Sequence, residues 1–306
     1  MPSHEQPPLP SWTKPIPQSR DRLQGQILVF ATSLLLLIAF CLAVRGFYLD
    51  RGPSDIHFAL LVALVSVVFA AFVAVLRAGT PAAALYGALL CFCITVYSMD
   101  AHRSVLSTEL PPLFTLFLIS FLATRVGKQH KEIRNLAESR HGRSVAQVAA
   151  NLSVAGLVVS SIGYLPSFLL GVPLSKHALI LISIAALAEA TSDTVSSELG
   201  QVFGGRPYLL TTLRPVPIGT DGAITPLGTI FGILAATTVI TAAAFSLHLS
   251  WTESAIALAA STIGLFADSL LGATFERKGY LGNDLVNFTS TLVAAISAAI
   301  LAKLIL

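Results

Sequence analysis

The sequence predicts an all-α membrane protein, a polytopic transmembrane helix bundle of about nine spans. Of its 306 residues, 54% are hydrophobic and only 11% are charged, and the mean hydropathy is +0.77. The bilayer core offers no water to the backbone, so spanning segments must be helices of roughly 20 residues or strands of a closed barrel. The apolar runs here are too long for barrel strands, which leaves helices.

Nine apolar stretches are candidate spans. Pro111 and Pro112 shorten the fourth, because proline starts a helix more readily than it continues one. Residues 1–23 are polar and rich in proline, which predicts a disordered cytoplasmic tail and not a cleavable signal peptide. The predicted spans are Gln26 to Val44, Ile56 to Leu76, Pro81 to Ser98, Pro111 to Thr124, Val145 to Tyr164, His177 to Ser197, Pro226 to Leu247, Ala255 to Leu271 and Leu285 to Leu304.

The distribution of basic residues predicts the orientation of the chain. Lysine and arginine concentrate in short cytoplasmic loops, and residues 125–143 carry six of them against two glutamates. With this segment inside, counting spans places the N-terminus in the cytoplasm and the C-terminus outside. The membrane would be the plasma membrane in a prokaryote. The formal net charge of +3 is too small to predict a nucleic-acid partner.

Three polar segments fall on this predicted cytoplasmic face. They are residues 189–229, residues 268–287, and the helix start that contains Arg143, Gln147 and Asn151. The last three residues recur every four positions and therefore share one face of a helix. Segments that are far apart in the sequence and reach the same face predict a shared site.

The first segment places carboxylates inside a predicted span. Glu189, Asp193 and Ser197 recur every four residues on one helix stripe, and Glu198 adjoins it. Carboxylates are costly in lipid, so they usually face a cavity or a partner and mark a functional site. A helix end that simply reaches headgroup water is the alternative, and it stays open for Glu189 in particular.

The loop that follows has the composition of a phosphate-binding site. Its glycines allow close backbone approach, its threonines offer hydroxyls and its arginines offer planar cationic forks. It matches neither a Walker loop nor a dinucleotide fingerprint, and its glycines and prolines would also fit a simple turn. The residues concerned are Arg206, Arg214, Thr211, Thr212, Thr220, Thr225, Gly219, Gly222 and Gly228.

The third segment completes a predicted magnesium site. Carboxylate and amide oxygens are hard ligands that suit Mg²⁺, which would neutralise polyphosphate charge. Glu276 stays ambiguous, because the two basic residues after it could satisfy its charge in solvent. The seven histidines show no ligand spacing, which argues against a zinc site. The predicted ligands are Asp193, Glu198, Asp268, Asn283 and Asn287.

At these residues the sequence resembles the integral membrane proteins grouped as domain of unknown function 92, which include transmembrane protein 19 and the plant phytyl-phosphate kinase. The resemblance extends from about Gly79 to the C-terminus. It therefore predicts a family-like membrane catalytic domain in residues 79–306, preceded by two N-terminal spans in residues 24–78. Asp221 and Glu276 depart from it, since asparagine and glutamine are frequent there. It is carried by Asp193-Thr194, Ser197-Glu198, Gly200, Arg206-Pro207, Leu210-Thr211-Thr212, Val216-Pro217, Gly219-Thr220, Gly222, Asp268-Ser269, Leu271-Gly272-Ala273-Thr274 and Val286-Asn287, with Arg143, Gln147 and Asn151.

The resemblance implies a kinase that uses CTP, or another nucleoside triphosphate, to convert an isoprenyl monophosphate such as phytyl or geranylgeranyl phosphate to its diphosphate. Under this hypothesis the catalytic residues are Asp193, Glu198 and Asp268, which share the Mg²⁺ with Asn283 and Asn287. The nucleotide phosphates would contact Arg206, Thr211, Thr212, Gly219, Thr220 and Gly222. The anionic head of the lipid would contact Arg143, Lys128, Gln147 and Asn151.

Two other functions fit the same residues. A cytidylyltransferase would attack the α-phosphate of CTP, release pyrophosphate and form a CDP-lipid. A membrane transporter of a phosphorylated or lipid substrate would use broken helices and polar groups near the bilayer midplane. Because the polar residues cluster toward one face, the sequence favours an enzyme. The expected partners are a prenyl phosphate lipid, a nucleotide and the membrane, and the oligomeric state is not predicted.

Overall fold

The computed structural model describes residues 16–49, 53–99, 104–134, 136, 141–165 and 174–306. Within these ranges the chain forms ten α-helices and one hairpin of two short strands, which confirms the all-α class. Seven helices are long and apolar enough to cross a membrane: α1, α2, α3, α7, α8, α9 and α10. The helices are α1 (Gln18–Leu49), α2 (Pro53–Val75), α3 (Pro81–Ser98), α4 (Leu110–Arg125), α5 (Lys128–Ile133), α6 (Val145–Val159), α7 (Lys176–Phe203), α8 (Pro226–Leu247), α9 (Trp251–Leu271) and α10 (Asn283–Ile305).

Two of the nine predicted spans form helices too short to belong to these seven. Helix α4 has 16 residues and α6 has 15, which at 1.5 Å per residue gives about 24 Å and about 22 Å against a core of roughly 30 Å. The predicted span Val145 to Tyr164 is divided, because α6 ends at Val159 and a 3₁₀ turn, Ser161–Tyr164, follows. Both short helices pack against the central helix α7.

The prediction of a disordered tail is wrong for its last residues, 18–23, because α1 begins at Gln18. The rest of that tail, residues 1–15, lies outside the described residues. The first turns of α1 are held by tertiary contacts that composition does not reveal. Gln24 Nε2 donates to the carbonyl of Tyr280 at 2.9 Å, and Gln24 Oε1 accepts from the amide of Gly282 at 2.8 Å. Polar residues therefore extend α1 beyond its apolar stretch.

Helix α7 forms the centre of the bundle and contacts α4, α6, α8, α9 and α10. Its residues 184–188 are fully buried. Small residues let α8 approach it closely: a Cβ on Gly232 would lie 2.7 Å from the carbonyl oxygen of Ser192, and one on Gly228 would lie 2.7 Å from that of Ser196. Glycine is therefore needed at these positions for the two backbones to touch, as is usual between membrane helices.

Basic side chains collect at one end of the bundle, which we call the basic end. Helices α1, α3, α6, α8 and α10 begin there. Among the described residues, twelve lysines and arginines lie at this end, whereas Arg45, Lys176 and Lys303 lie toward the other. This bias follows the positive-inside pattern. The cytoplasmic orientation of the basic end stays a prediction.

Candidate active site

A polar cavity of about 300 Å³ opens at the basic end of the bundle. Its wall is built from the start of α6, the second half of α7, the loop after α7, the end of α9 and the start of α10. Among the described residues that line it, Arg143 is the only cationic side chain. The wall carries five carboxylates: Asp193, Glu198, Asp221, Asp268 and Glu276. Such an excess of negative charge calls for a bound cation or for protons.

Two of these carboxylates meet directly. The carboxyl groups of Asp193 on α7 and Asp268 on α9 lie within hydrogen-bonding distance of each other. Oδ1 of Asp268 is buried and has no hydrogen-bond partner among the described residues. The guanidinium of Arg143 faces Asp193, and its Nη2 donates to Thr194 Oγ1 at 3.3 Å. Adjacent carboxylates repel, so a shared proton or a bound metal ion would stabilise this pair.

The end of α9 is reshaped where it borders the cavity. The helix continues into a π-helical turn, Gly272–Glu276, and Glu276 lines the wall together with Asp268. Gly222, with φ +70°, presses onto this turn, since a Cβ there would lie 2.0 Å from the amide nitrogen of Ala273. Single π-helical turns often occur at functional sites. Only glycine at position 222 lets the loop close over the end of α9.

The loop after α7 contains the hairpin, in which β1 (Tyr208–Leu209) pairs antiparallel with β2 (Ala223–Ile224). The structure places the predicted residues Gly219, Thr220 and Gly222 on the cavity wall. It does not place Arg206, Thr211 and Thr212 there, and all three are exposed. A tight turn, in which the amide of Leu213 donates to the carbonyl of Leu209 at 2.7 Å, folds the tip of β1 into solvent.

The predicted stripe at the start of α6 does line the cavity, with Arg143, Gln147 and Asn151 on its wall. Gln147 also has a structural role that the sequence did not predict. Its Oε1 accepts from the amide of Ser144 at 2.7 Å, while Ser144 Oγ accepts from the amide of Gln147 at 3.1 Å. This capping box holds the start of α6. The amide oxygen of Gln147 is thus already in use.

Glu198 is paired with Lys131, which the sequence predicted only as one of the basic residues of a cytoplasmic loop. Lys131 Nζ contacts Glu198 Oε2, and it also donates to the carbonyls of Ala123 at 3.3 Å and Thr124 at 3.1 Å. The Lys131 side chain is only 2% exposed. No sequence signal marks its burial, because it lies in a polar, basic stretch typical of a solvated loop. The pair neutralises Glu198 at the edge of the cavity.

The two glutamates left open by the sequence differ in position. Glu276 lines the cavity, whereas Glu189 lies one turn before Asp193 and is fully buried. Neither carboxylate oxygen of Glu189 has a hydrogen-bond partner of good geometry among the described residues. A Cβ on Gly264 would lie 2.5 Å from Glu189 Cγ, so α9 packs directly over this side chain. Glu189 is therefore a buried acid beneath the Asp193–Asp268 pair.

Asp221 also lines the cavity, although the sequence marked it only as a departure from the family pattern. It lies near Arg277, whose side chain is buried. Burial lowers the pKa of Arg277, and the charge of Asp221 opposes this effect. Although Asp221 reaches solvent, the protein around its carboxyl raises its pKa, and Arg277 acts against that rise. Arg277 thus interacts with Asp221, which leaves Glu276 facing other carboxylates.

The cavity fits a hard divalent cation, although not through all the predicted ligands. Among the described residues, no three His, Cys, Asp or Glu side chains converge in ligating geometry. The unpartnered oxygen of Asp268 and the adjacent Asp193 nevertheless form a strongly anionic pair, and Asn283 and Asn287 line the same wall. Mg²⁺ commonly takes one or two carboxylates and completes its shell with waters and substrate phosphates. The residues present suit that kind of site.

Three helices begin at the cavity, namely α6, α8 and α10. The N-cap of α8, Thr225, and the first residue of α10, Asn283, both line the wall. Helix N-termini carry a partial positive charge and unpaired amide groups, which favour phosphate. The cavity therefore combines an anionic pair suited to a metal ion with backbone ends suited to the phosphates it would accompany.

A second, larger cavity of about 670 Å³ lies beside the first, between α2, α3, α4 and α6. Its deep wall is apolar and includes Leu90, Leu113 and Leu116. Lys128, a predicted contact of the lipid head, lines this cavity and not the polar one. Arg143 lines both. The arginine thus stands at the boundary between a polar and an apolar chamber.

These features define an integral membrane protein with an acidic, phosphate-suited cavity at one end of a helix bundle. The chain belongs to the family described as integral membrane protein DUF92, whose model matches residues 61–295. The match begins within α2, earlier than the boundary near Gly79 that the sequence predicted.

Relatives of this chain occur in plants, archaea and cyanobacteria. It is 33% identical over 193 residues to Protein VTE6, chloroplastic, of Arabidopsis thaliana, which covers 62% of this chain and 57% of that protein. It is 37% identical over 187 residues to the uncharacterized membrane protein MJ0933 of Methanocaldococcus jannaschii, covering 60% and 72%. It is 31% identical over 181 residues to the uncharacterized membrane protein sll0875 of Synechocystis, covering 58% and 68%. The alignment thus spans less than two thirds of VTE6, and no solved structure matches the chain.

Proposed function

We propose that this chain is a nucleotide-dependent kinase that converts an isoprenyl monophosphate to its diphosphate, with CTP as the phosphoryl donor. The observation that carries the proposal is the Asp193–Asp268 pair, which lies in a phosphate-suited cavity that shares Arg143 with an apolar chamber. An enzyme that joins a polar nucleotide to a lipid needs both environments side by side. The family resemblance, which includes a phytyl-phosphate kinase, supports the substrate class.

The reaction needs little covalent chemistry from the protein. An oxygen of the lipid monophosphate attacks the γ-phosphorus of the nucleotide, the bond between that phosphorus and the β–γ bridging oxygen breaks, and the nucleoside diphosphate leaves. The acceptor phosphate is already ionised, so no general base is required. Catalysis then consists of positioning and charge neutralisation, as is usual for phosphoryl transfer.

Each part of the wall has a task in this scheme. Arg143 orients the acceptor phosphate at the boundary of the two chambers, and the backbone around Gly219 and Gly222 holds the nucleotide phosphates. Asp193 and Asp268 would bind Mg²⁺ with amide oxygens of α10. When bound, that ion neutralises charge on the β- and γ-phosphates. The hairpin loop excludes water by closing over the end of α9.

Glu198 has a smaller role in this proposal than the sequence assigned to it. Its carboxylate is neutralised by the buried Lys131 and is less available as a metal ligand. It acts as a positioning residue that ties α5 to α7. The exposed residues Arg206, Thr211 and Thr212 lie outside the cavity wall, so the bound nucleotide would reach them only if the hairpin moved.

A product assay tests the function. Purified protein in detergent receives Mg²⁺, geranylgeranyl monophosphate and CTP carrying a label on either its α- or its γ-phosphate. We expect CDP and a lipid diphosphate that carries the γ-label. Pyrophosphate with an α-labelled CDP-lipid would identify a cytidylyltransferase instead. Lipid flux across proteoliposomes without nucleotide turnover would identify a transporter.

A further inference from the structure

The apolar chamber has the dimensions of a binding site for a long hydrocarbon chain. Its volume of about 670 Å³ lies within the range of roughly 300–1,000 Å³ found for ligand cavities. Along α4 it extends from Arg125 at the basic end to Leu113, which is roughly 18 Å at 1.5 Å per residue. The chamber therefore runs inward from the basic end along most of the length of α4.

The mouth of this chamber is basic, in contrast to its interior. Arg77, Arg125, Lys128 and Arg143 surround it, with Glu132 as the acidic residue among the described lining. The guanidinium of Arg125 is oriented there, since Nη2 donates to the carbonyl of Leu76 at 2.9 Å and Cζ lies 4.3 Å from the centroid of the Phe121 ring. A membrane lipid with an anionic head and an apolar tail matches this arrangement.

We propose that this chamber binds the prenyl chain of the acceptor, with its phosphate held at the basic mouth beside Arg143, and that the depth of the chamber selects chain length. This inference rests on the proposed kinase function for the identity of the head group. It adds where the prenyl tail binds, in which direction it runs and how long it can be. The tail enters the bundle along α4, and the phosphate projects past Arg143 into the polar cavity.

Gly87 on α3 is the position at which chain length can be controlled. It lines the chamber, and a Cβ added there meets no atom within 4 Å. A side chain at position 87 therefore begins in open space, and a large one would occupy part of the chamber. Glycine inside a helix is also less favourable than most other residues, so the substitution does not endanger folding by propensity.

The experiment compares two acceptors in the variant Gly87→Phe. Dimethylallyl monophosphate has one isoprene unit and needs only the mouth, whereas geranylgeranyl monophosphate needs the full chamber. We expect kcat/KM for the long acceptor to fall by about a hundredfold, because apolar pockets discriminate by about 10- to 200-fold when even one methylene is misplaced. For the short acceptor we expect a change of no more than about threefold.

Gly46→Phe provides the matched control. Gly46 lies on α1, a Cβ there also meets no atom within 4 Å, and the position borders a different cavity near the opposite end. It should leave the ratio of the two kcat/KM values unchanged. An unchanged ratio in Gly87→Phe, or an equal loss for both acceptors, would overturn the assignment of the chamber.

A binding measurement separates this inference from the kinase proposal. Without nucleotide, geranylgeranyl monophosphate should raise the thermal unfolding temperature of the wild-type protein, and Gly87→Phe should lose that shift while Gly46→Phe keeps it. If no acceptor is phosphorylated but Gly87→Phe loses the rise in unfolding temperature, the kinase proposal is wrong and the assignment of the chamber is supported. If turnover occurs but Gly87→Phe keeps the full rise in unfolding temperature, the kinase proposal is supported and the assignment of the chamber is wrong.

Discussion

The Asp193–Asp268 pair at the basic end and two glutamates at the opposite end differ in what surrounds their carboxylates. At the end away from the site, Glu253 accepts from the amide of Ser250 at 2.8 Å and lies 2.5 Å from His177 Nε2, while Glu109 accepts from Ser183 Oγ at 2.6 Å. At the basic end, Asp193 and Asp268 face each other, and an oxygen of Asp268 has no partner among the described residues. Each glutamate of the first group has a hydrogen-bond donor on one oxygen, although Oε1 of Glu109 has no partner among the described residues. The two aspartates differ from them because each lies beside another carboxylate.

This difference shows what marks a functional acid in this protein. Burial alone does not, because Glu109 is fully buried and lies at the end away from the site. The marker is the neighbour: an acid with a cap, a hydroxyl or a cation is explained by the fold, whereas adjacent acids are stable only with something added from outside. The comparison therefore predicts that removing charge at the basic end will damage activity and spare stability.

The largest expected effect is on turnover. Asp268→Asn or Asp193→Asn removes one charge from the pair, and we expect kcat to fall by about a thousandfold, near the upper loss seen when one electrostatic group is removed from an active site. The thermal unfolding temperature should stay level or rise, because the repulsion between the carboxylates is relieved. Turnover and unfolding are measured on the same detergent-purified samples.

The matched control is Asp21→Asn. Asp21 lies on the first turn of α1, next to Gly282 and outside the polar cavity. It should retain activity within about threefold, since an exposed acid in the first turn contributes only about 0.3–1 kcal/mol to its helix. Full activity in both Asp193→Asn and Asp268→Asn would remove the basis of the proposed metal site.

The next largest effect is on stability. Lys131→Met leaves Glu198 as a poorly solvated charge without its cation, and breaking such a pair costs about 3–5 kcal/mol. The Lys131 and Glu198 side chains are 2% and 14% exposed, so solvent replaces little of the lost interaction. Denaturant unfolding in mixed micelles measures the loss. The double variant Lys131→Met with Glu198→Gln should recover part of it.

The neighbouring pair Lys128–Glu132 supplies the contrast. Its atoms are 3.9 Å apart and its side chains are 54% and 48% exposed, so Lys128→Met should cost less than about 0.5 kcal/mol. Equal losses for Lys131→Met and Lys128→Met would mean that burial of Lys131 does not contribute to stability, and the positioning role of Glu198 would fall with it.

Periodicity and composition predicted the class of fold, and many of the predicted site residues lie on one cavity wall. Stretches of apolar sequence predict most helix ends to within a few residues, and the largest departures are the start of α1 and the end of α7. The four-residue spacing of Arg143, Gln147 and Asn151 places all three on one cavity wall. The adjacency of Asp193 and Asp268 followed from counting spans, because both residues lie near helix ends that the count assigns to one face. These predictions depend on local repeats and on the thickness of a bilayer.

The remaining features depend on tertiary contacts that leave no local pattern. Burial of Lys131 is set by the packing of α5 against α7, and the exposed positions of Thr211 and Thr212 are set by a turn at the end of β1. The early start of α1 is set by the contacts of Gln24 with residues far along the chain. A sequence stretch that is polar, basic or rich in glycine looks the same whether it is solvated or folded against a partner.

The smallest expected effect concerns Glu109 and pH. Burial raises the pKa of this carboxyl to about 8, while the hydrogen bond from Ser183 and the charge of Lys176 act against the rise. Between the ordinary value of 4.5 and about 8, the folded protein keeps this proton and the unfolded chain does not. The unfolded state therefore binds fewer protons, so this group's contribution to stability is full below pH 4.5 and declines as pH rises toward 8.

Glu109→Gln isolates this contribution, because its amide oxygen can still accept from Ser183 and its charge is fixed. Thermal unfolding of both proteins from acidic to mildly alkaline pH should give curves that diverge, with the wild type losing more stability than the variant across that window. Activity should change little, since Glu109 lies at the end away from the site. Parallel curves would mean that Glu109 ionises normally in the folded protein and that burial does not raise its pKa.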